Sequence, residues 1–177
     1  MGSRRWFDYR TVPRRQRALI LACMLFWSVL SYWFISSFVF SAAEVVGASM
    51  EPTMHDGERF ILDKVSYRFR SPRRGEIVAL RRVRDAELSV KRVIALPGER
   101  LQFKDSHVYV NGARLREPYL LPSVTTDPGV LSNHVYQIFP GSYFMLGDNR
   151  ANSGDSRSFG AVAMKDIDGR VRDWGTR

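Results

Sequence analysis

From Ala18 to Ala43 the chain runs for 26 residues without an Asp, Glu, Lys or Arg, through LILACMLFWSVLSYWFISSFVF. At a rise of about 1.5 Å per residue such a run makes a helix about 39 Å long, enough to cross a hydrocarbon layer of about 30 Å with some tilt. A core helix of a soluble domain seldom exceeds about 20 residues and keeps a polar stripe on its outer side. The run is therefore read as one transmembrane helix over residues 18–43, with Cys23 inside it as a small apolar filler. Ser41-Ala42-Ala43 resembles a small-x-small cleavage site, but a cleavable leader has an apolar core of only about 7 to 15 residues. An uncleaved anchor is expected.

Charge around the run sets its direction. Arg4, Arg5, Arg10, Arg14, Arg15 and Arg17 precede it against the single acid Asp8, whereas Glu44 follows it. The positive-inside rule then predicts a cytoplasmic basic tail over 1–17, the anchor, and an extracytoplasmic domain over 44–177. The formal charge of +9 invites a nucleic-acid reading, but +5 of it lies in the first 17 residues and only +4 in residues 44–177. Most of the basic excess thus records topology and contact with an anionic phospholipid membrane, and no nucleic-acid partner is expected. One cysteine excludes an intrachain disulfide and a cysteine-based zinc site.

Residues 44–177 read as short strands. RFILDKV alternates apolar and polar, EIVALRRV and SVKRVIAL are β-branched and apolar, LQFKDSHVYVNGARL reads as a hairpin followed by an Asn111-Gly112 turn, and YFMLG adds a further strand. Apolar spacing of helical period is weak and confined to the C-terminus, and Glu117 to Pro140, with Pro118, Pro122 and Pro128, reads as an irregular loop. The expected fold class is mostly β, an antiparallel sheet or barrel behind one N-terminal helix.

Few residues here can carry chemistry. His55, His107 and His134 stand apart, with no pairing at helical spacing, so neither a metal site nor a Ser-His-Asp arrangement is expected. No glycine loop suits a phosphate. Three segments remain. Gly47-Ala48-Ser49-Met50-Glu51-Pro52-Thr53 places a serine among small residues that let a backbone approach. Lys91, one of only four lysines beside 23 arginines, lies between Val90 and Val93 in an apolar strand. A lysine turned into such a face loses its charge as burial disfavours the ammonium, and can then act as a base, which an arginine cannot. Periodicity alone leaves open whether Lys91 points inward or to solvent. GDNRANSGDSR, residues 147–157, is either a solvated loop or a buried network of ion pairs and hydroxyls.

GASMEPTM, then VKRVIALPGE, then YFMLGDNRANSGDSRSFG, in this order beyond an anchor and with Gly57-Glu58-Arg59-Phe60 between the first two, resemble the motifs of type I signal peptidases. These are membrane-bound serine proteases with a Ser-Lys dyad, and the resemblance covers most of residues 44–164. It implies that Ser49 is the nucleophile, Lys91 the general base and Ser153 the hydroxyl that orients the lysine. Asp148, Arg150, Asp155, Arg157 and Arg92 match the supporting polar network. Where many Gram-negative members carry a serine two residues before the nucleophile, this chain has Gly47, so backbone N–H groups, chiefly that of Ser49, are expected to hold the oxyanion. The hairpin at 101–116 and the loop to Pro140 imply a minimal accessory region over 101–140.

The implied substrates are preprotein signal peptides ending in a small-x-small site and bound as an added strand, with no cofactor and no metal. Val45, Met50, Met54 and Val90 are expected to line shallow pockets that admit alanine. Bringing Lys91 from its ordinary value down to near neutrality costs about 4 kcal/mol, which only an apolar surround can impose. Two other readings stay open on the residues alone: a self-cleaving repressor-type Ser-Lys protease, and a membrane-anchored β-domain that only binds peptides.

Overall fold

The computed structural model describes residues 13–38, 40–81, 88–128, 131 and 134–173. The arginines at 4, 5 and 10 and Asp8, on which part of the topology argument rests, lie outside them. Residues up to Val39 and residues from Phe40 onward form two separate compact units.

Helix α1 spans Arg14–Phe38. It begins at Pro13, whose carbonyl accepts from the Arg17 N–H at 3.0 Å; the fixed φ of proline suits this position, where its missing donor costs nothing. Leu25 and Trp27 are among its exposed side chains, and by length and composition the helix is long and apolar enough to cross a membrane. The expected span of 18–43 needs correction at both ends. The helix starts four residues earlier, and residues from Phe40 belong to strand β1 (Phe40–Glu44), paired antiparallel with β2 (Arg59–Asp63) from Phe40↔Asp63 to Glu44↔Arg59. Absence of charge does not choose between helical and sheet pairing; a partner strand does.

The second unit continues with α2 (Ser66–Phe69), β3 (Ile77–Arg81), β4 (Leu88–Ala95), β5 (Arg100–Lys104), β6 (His107–Val110), β7 (Ala113–Arg114), β8 (Val135–Gln137), β9 (Ser142–Leu146), α3 (Ser156–Phe159), β10 (Val162–Ala163) and β11 (Ile167–Asp173). Seven strands form one antiparallel sheet in the order β1-β2-β11-β3-β4-β9-β10, and four form a smaller one in the order β7-β6-β5-β8. The mostly β architecture is as read from the sequence. Alternation does the local work: Phe60 and Leu62 on β2, Leu101 and Phe103 on β5, and Val108 and Val110 on β6 are buried, and apart from the ion-paired Asp63 their strand neighbours are not. The small sheet turns on two residue pairs with positive φ, Asp105-Ser106 between β5 and β6 and Asn111-Gly112 between β6 and β7, the conformation that right-twisted two-residue hairpins require.

Two segments depart from the expectation. Within Glu117–Pro140, Val135–Gln137 forms β8 on the edge of β5. The C-terminal segment with weak helical spacing is strand β11, inserted between β2 and β3. Ile167 and Val171 are both buried and four apart, a spacing that places residues on one face of a strand as well as of a helix; a register shift lies between Ile167 and Gly169. Gly169 is needed there, since a Cβ would meet the Asp63 carbonyl oxygen at 2.6 Å.

Strand β4 positions the site. Every residue from Val90 to Ala95 is buried, because different clusters cover its faces. Val90 packs with Met50, Phe60 and Val171, Val93 with Val78, Leu80 and Met145, and Ile94 with Leu101, Phe103 and Phe144.

Candidate active site

The segment after β1 is a series of tight turns anchored at its base by Val45 N–H to Glu58 O at 2.8 Å and Gly57 N–H to Val45 O at 2.9 Å. Gly47 has φ +87°, a conformation that side-chain-bearing residues rarely adopt, and its N–H donates to Asp56 Oδ1 at 2.7 Å. That amide is therefore occupied within the loop. Ser49 comes two residues later, half-buried.

Lys91 reaches the same point from β4. Its Nζ donates to Ser49 Oγ at 2.9 Å and to Val90 O at 2.8 Å, and the residue is only 2% exposed. The direction that periodicity left open is settled by covering both faces of β4.

The loop after β9 clamps Ser49 from the other side. Asn149 donates its N–H to Ser49 O at 3.1 Å and its Nδ2 to Ala48 O at 3.0 Å. Gly147 allows this approach, since a Cβ there would stand 2.5 Å from Ser49 O and 2.2 Å from Ser153 Oγ. Ser153 thus packs over the same Cα as the Ser49 carbonyl. Its hydroxyl is buried and has no hydrogen-bond partner among the described residues, a situation that costs about 1–3 kcal/mol.

The charged residues of this loop form a buried network. Arg92 grips Asp148 through Nε to Oδ1 at 2.8 Å and a second bond to Oδ2, and donates to Gly75 O at 2.9 Å. Its guanidinium lies 3.9 Å from the Tyr119 ring centroid. Arg150 bonds Gly147 O at 3.1 Å, Thr126 Oγ1 and both Glu117 oxygens, and Tyr119 donates to Glu117 Oε1 at 2.8 Å. Burial pushes the Tyr119 phenol up, helped by the Glu117 charge. Arg157 binds Asp155 in bidentate fashion at 2.8 Å, while Asp155 also accepts from Gly147 N–H at 3.1 Å and caps α3. Burial works to raise the Asp155 carboxyl, but Arg157 and the Gly147 N–H outweigh it and hold the group below its ordinary range.

The structure thus brings Ser49 and Lys91 into hydrogen-bond contact and gathers Asp148, Arg150, Asp155, Arg157, Arg92 and Ser153 around them. Val45, Met50, Met54 and Val90 share one buried cluster, at 3%, 0%, 6% and 7% exposure. Sequence reasoning missed Gly147, Asn149, Glu117, Tyr119, Thr126 and Ser156, whose Oγ accepts from Met145 N–H at 3.0 Å. A signal existed for Gly147, Asn149 and Ser156, which lie within GDNRANSGDSR; none singled out Glu117, Tyr119 or Thr126.

The profile described as "Signal peptidase, peptidase S26" matches residues 16–174. The chain belongs to this family. Signal peptidases of the family are serine endopeptidases, and that is the class of this enzyme. Relatives include Signal peptidase I V of Bacillus subtilis (strain 168), 38% identical over 148 residues, or 78% of this chain and 88% of that one. Signal peptidase I of Bacillus caldolyticus is 40% identical over 143 residues, covering 76% and 78%. A signal peptidase I crystal structure from Enterococcus faecalis V583 is 31% identical, covers 58% of this chain and 98% of that one, and superposes with a TM-score of 0.49.

Proposed function

We propose that this signal peptidase cleaves exported preproteins after a small-x-small site, with Ser49 as nucleophile and Lys91 as general base. The observation that carries this reading is the 2.9 Å contact between Lys91 Nζ and Ser49 Oγ, made by a lysine that is 2% exposed. Burial disfavours the ammonium, so Lys91 can be neutral near pH 7 and accept the hydroxyl proton as Ser49 attacks the carbonyl. Val90 O accepts one hydrogen of Nζ, which turns the amine toward Ser49. The tetrahedral oxyanion would be held by the Ser49 N–H, since the Gly47 N–H is committed to Asp56. Lys91 then protonates the leaving amine, and later activates the water that hydrolyses the acyl-enzyme.

The Ser153 hydroxyl beside Gly147, without a hydrogen-bond partner among the described residues, suits the role of orienting Lys91 once a substrate closes the site. The Arg92–Asp148 pair ties the lysine strand to the loop carrying Asn149, so base and nucleophile move as one body. The wall for the small residue before the scissile bond would open at the Val45, Met50, Met54 and Val90 cluster. Helix α1 serves as a signal anchor that leaves the basic end in the cytoplasm and the β-domain outside, at the membrane where preproteins emerge.

Membranes carrying wild type, Ser49→Ala or Lys91→Ala are assayed on a labelled preprotein. Processing by wild type alone is expected; equal processing by all three would refute the dyad.

A further inference from the structure

Beside the nucleophile lies a cleft of about 540 Å³ that the chemistry above does not use, walled by Glu51, Pro52 and His55, by Leu121 and Ser123, and by Asn149. Two of these residues are built into the seat of Ser49. Glu51 donates its N–H to Ala48 O at 3.3 Å, and Asn149 holds the carbonyls of Ala48 and Ser49. The cleft is thus tied to the main chain on either side of Ser49, within reach of a peptide bound across it.

Size and polarity say which flank. Residues before the scissile bond must be small and need shallow apolar pockets, whereas this cleft falls in the range of whole ligand sites, about 300–1,000 Å³. Its wall mixes a carboxylate and an imidazole with an exposed leucine and serine. Such a space suits side chains of varied size, as the mature ends of different exported proteins present. Its charge is also one-sided. Asp148 and Arg150 at its edge are neutralised by Arg92 and Glu117, while the half-buried Glu51 carboxylate has no ion pair or hydrogen bond among the described residues.

We propose that this cleft binds the first residues of the mature chain, on the leaving-amine side of the scissile bond, and that Glu51 selects positive charge there. The inference rests on the protease reading. In acylation the bond from Ser49 Oγ to the carbonyl carbon forms as the C–N bond breaks. The departing nitrogen takes the proton that Lys91 had removed from Ser49, then a second proton from solvent, so the mature chain leaves as an ammonium. Glu51 faces that cation and any lysine or arginine just after it.

The test uses the full-length enzyme in detergent micelles and preproteins identical up to the cleavage point, with Lys, Ala or Asp in the first three mature positions. Wild type is expected to favour Lys over Asp in kcat/KM by about two- to fivefold, the scale of a solvent-exposed ion pair; Glu51→Gln should flatten the preference and Glu51→Lys reverse it. The same ranking in all three enzymes, each cleaving, overturns the inference and leaves the protease standing. No cleavage by wild type removes both. A second readout needs no turnover: a fluorescent mature-end peptide should bind the Ser49→Ala enzyme about two- to fivefold tighter with a free amine than when acetylated. Adding Glu51→Gln should erase that difference, and equal binding of both peptides to Ser49→Ala alone overturns the proposal.

Discussion

Replacing Gly147 by Ala tests how closely the loop after β9 must seat against Ser49, the proposed nucleophile. The added Cβ would stand 2.5 Å from Ser49 O, 2.2 Å from Ser153 Oγ and 2.6 Å from Ser153 Cβ. The Ser153 hydroxyl can rotate away, but its Cβ and the Ser49 carbonyl are fixed to main chain. Moving the carbonyl from 2.5 Å to the 3.4 Å of ordinary contact displaces Ser49 by nearly 1 Å. Misplacement on that scale costs on the order of 10²-fold in rate, about 2.7 kcal/mol of barrier. Overpacking should also cost about 1–3 kcal/mol of stability, so the assay is run well below the unfolding transition. At saturating preprotein, kcat should fall about 10²-fold while KM changes far less, because the extended binding surface is untouched. Gly154→Ala is the control within the same motif: nothing lies within 4 Å of its ideal Cβ, and kcat should stay within about twofold, as for surface changes generally. A Gly147→Ala enzyme with wild-type kcat, or an equal loss in Gly154→Ala, would refute the reasoning.

Glu117→Ala should destabilise the β-domain by about 3–5 kcal/mol, because it strands Arg150, whose side chain is 0% exposed, as a buried charge; urea unfolding measures this, and a loss under about 1 kcal/mol would contradict it. The Asp155 carboxyl is held below its ordinary value in the fold, so its stabilising contribution is present above the unfolded-state value and is lost as pH falls through the folded one. The stability gap between wild type and Asp155→Asn should therefore narrow as pH drops from about 5 to about 3; a gap constant across that window would count against the pairing. Val90→Ala should broaden the residues accepted before the cleavage point, whereas Met50→Ala, at a site 0% exposed, should first show a cavity cost of about 2–5 kcal/mol. Unchanged preference in Val90→Ala would remove that residue from the pocket.

Legibility divided along physical lines. Strands with one buried face, β2 and β5 among them, were readable because alternation reports which side faces the core. Strand β11 was not, since Ile167 and Val171, four apart with only Gly169 between them on that face, fit a helix as well as a strand. Strand β8 was hidden in a proline-bearing loop because its three residues take their pairing from β5. Within the site, Ser49 and Lys91 could be picked out by motif. Glu117, Tyr119 and Thr126 could not, for their role exists only where the 117–126 segment folds back onto Arg92 and Arg150.

The sequence by itself determined that a long apolar helix precedes a β-domain, because an apolar run and strand alternation both depend on residues close together along the chain. It also determined the family, through three motifs in order. Only the tertiary structure decided that Lys91 is buried and meets a serine 42 residues away at 2.9 Å. It likewise decided where the helix yields to β1. Burial of a second face and the pairing of an edge strand are supplied by distant segments, and no local pattern carries that information.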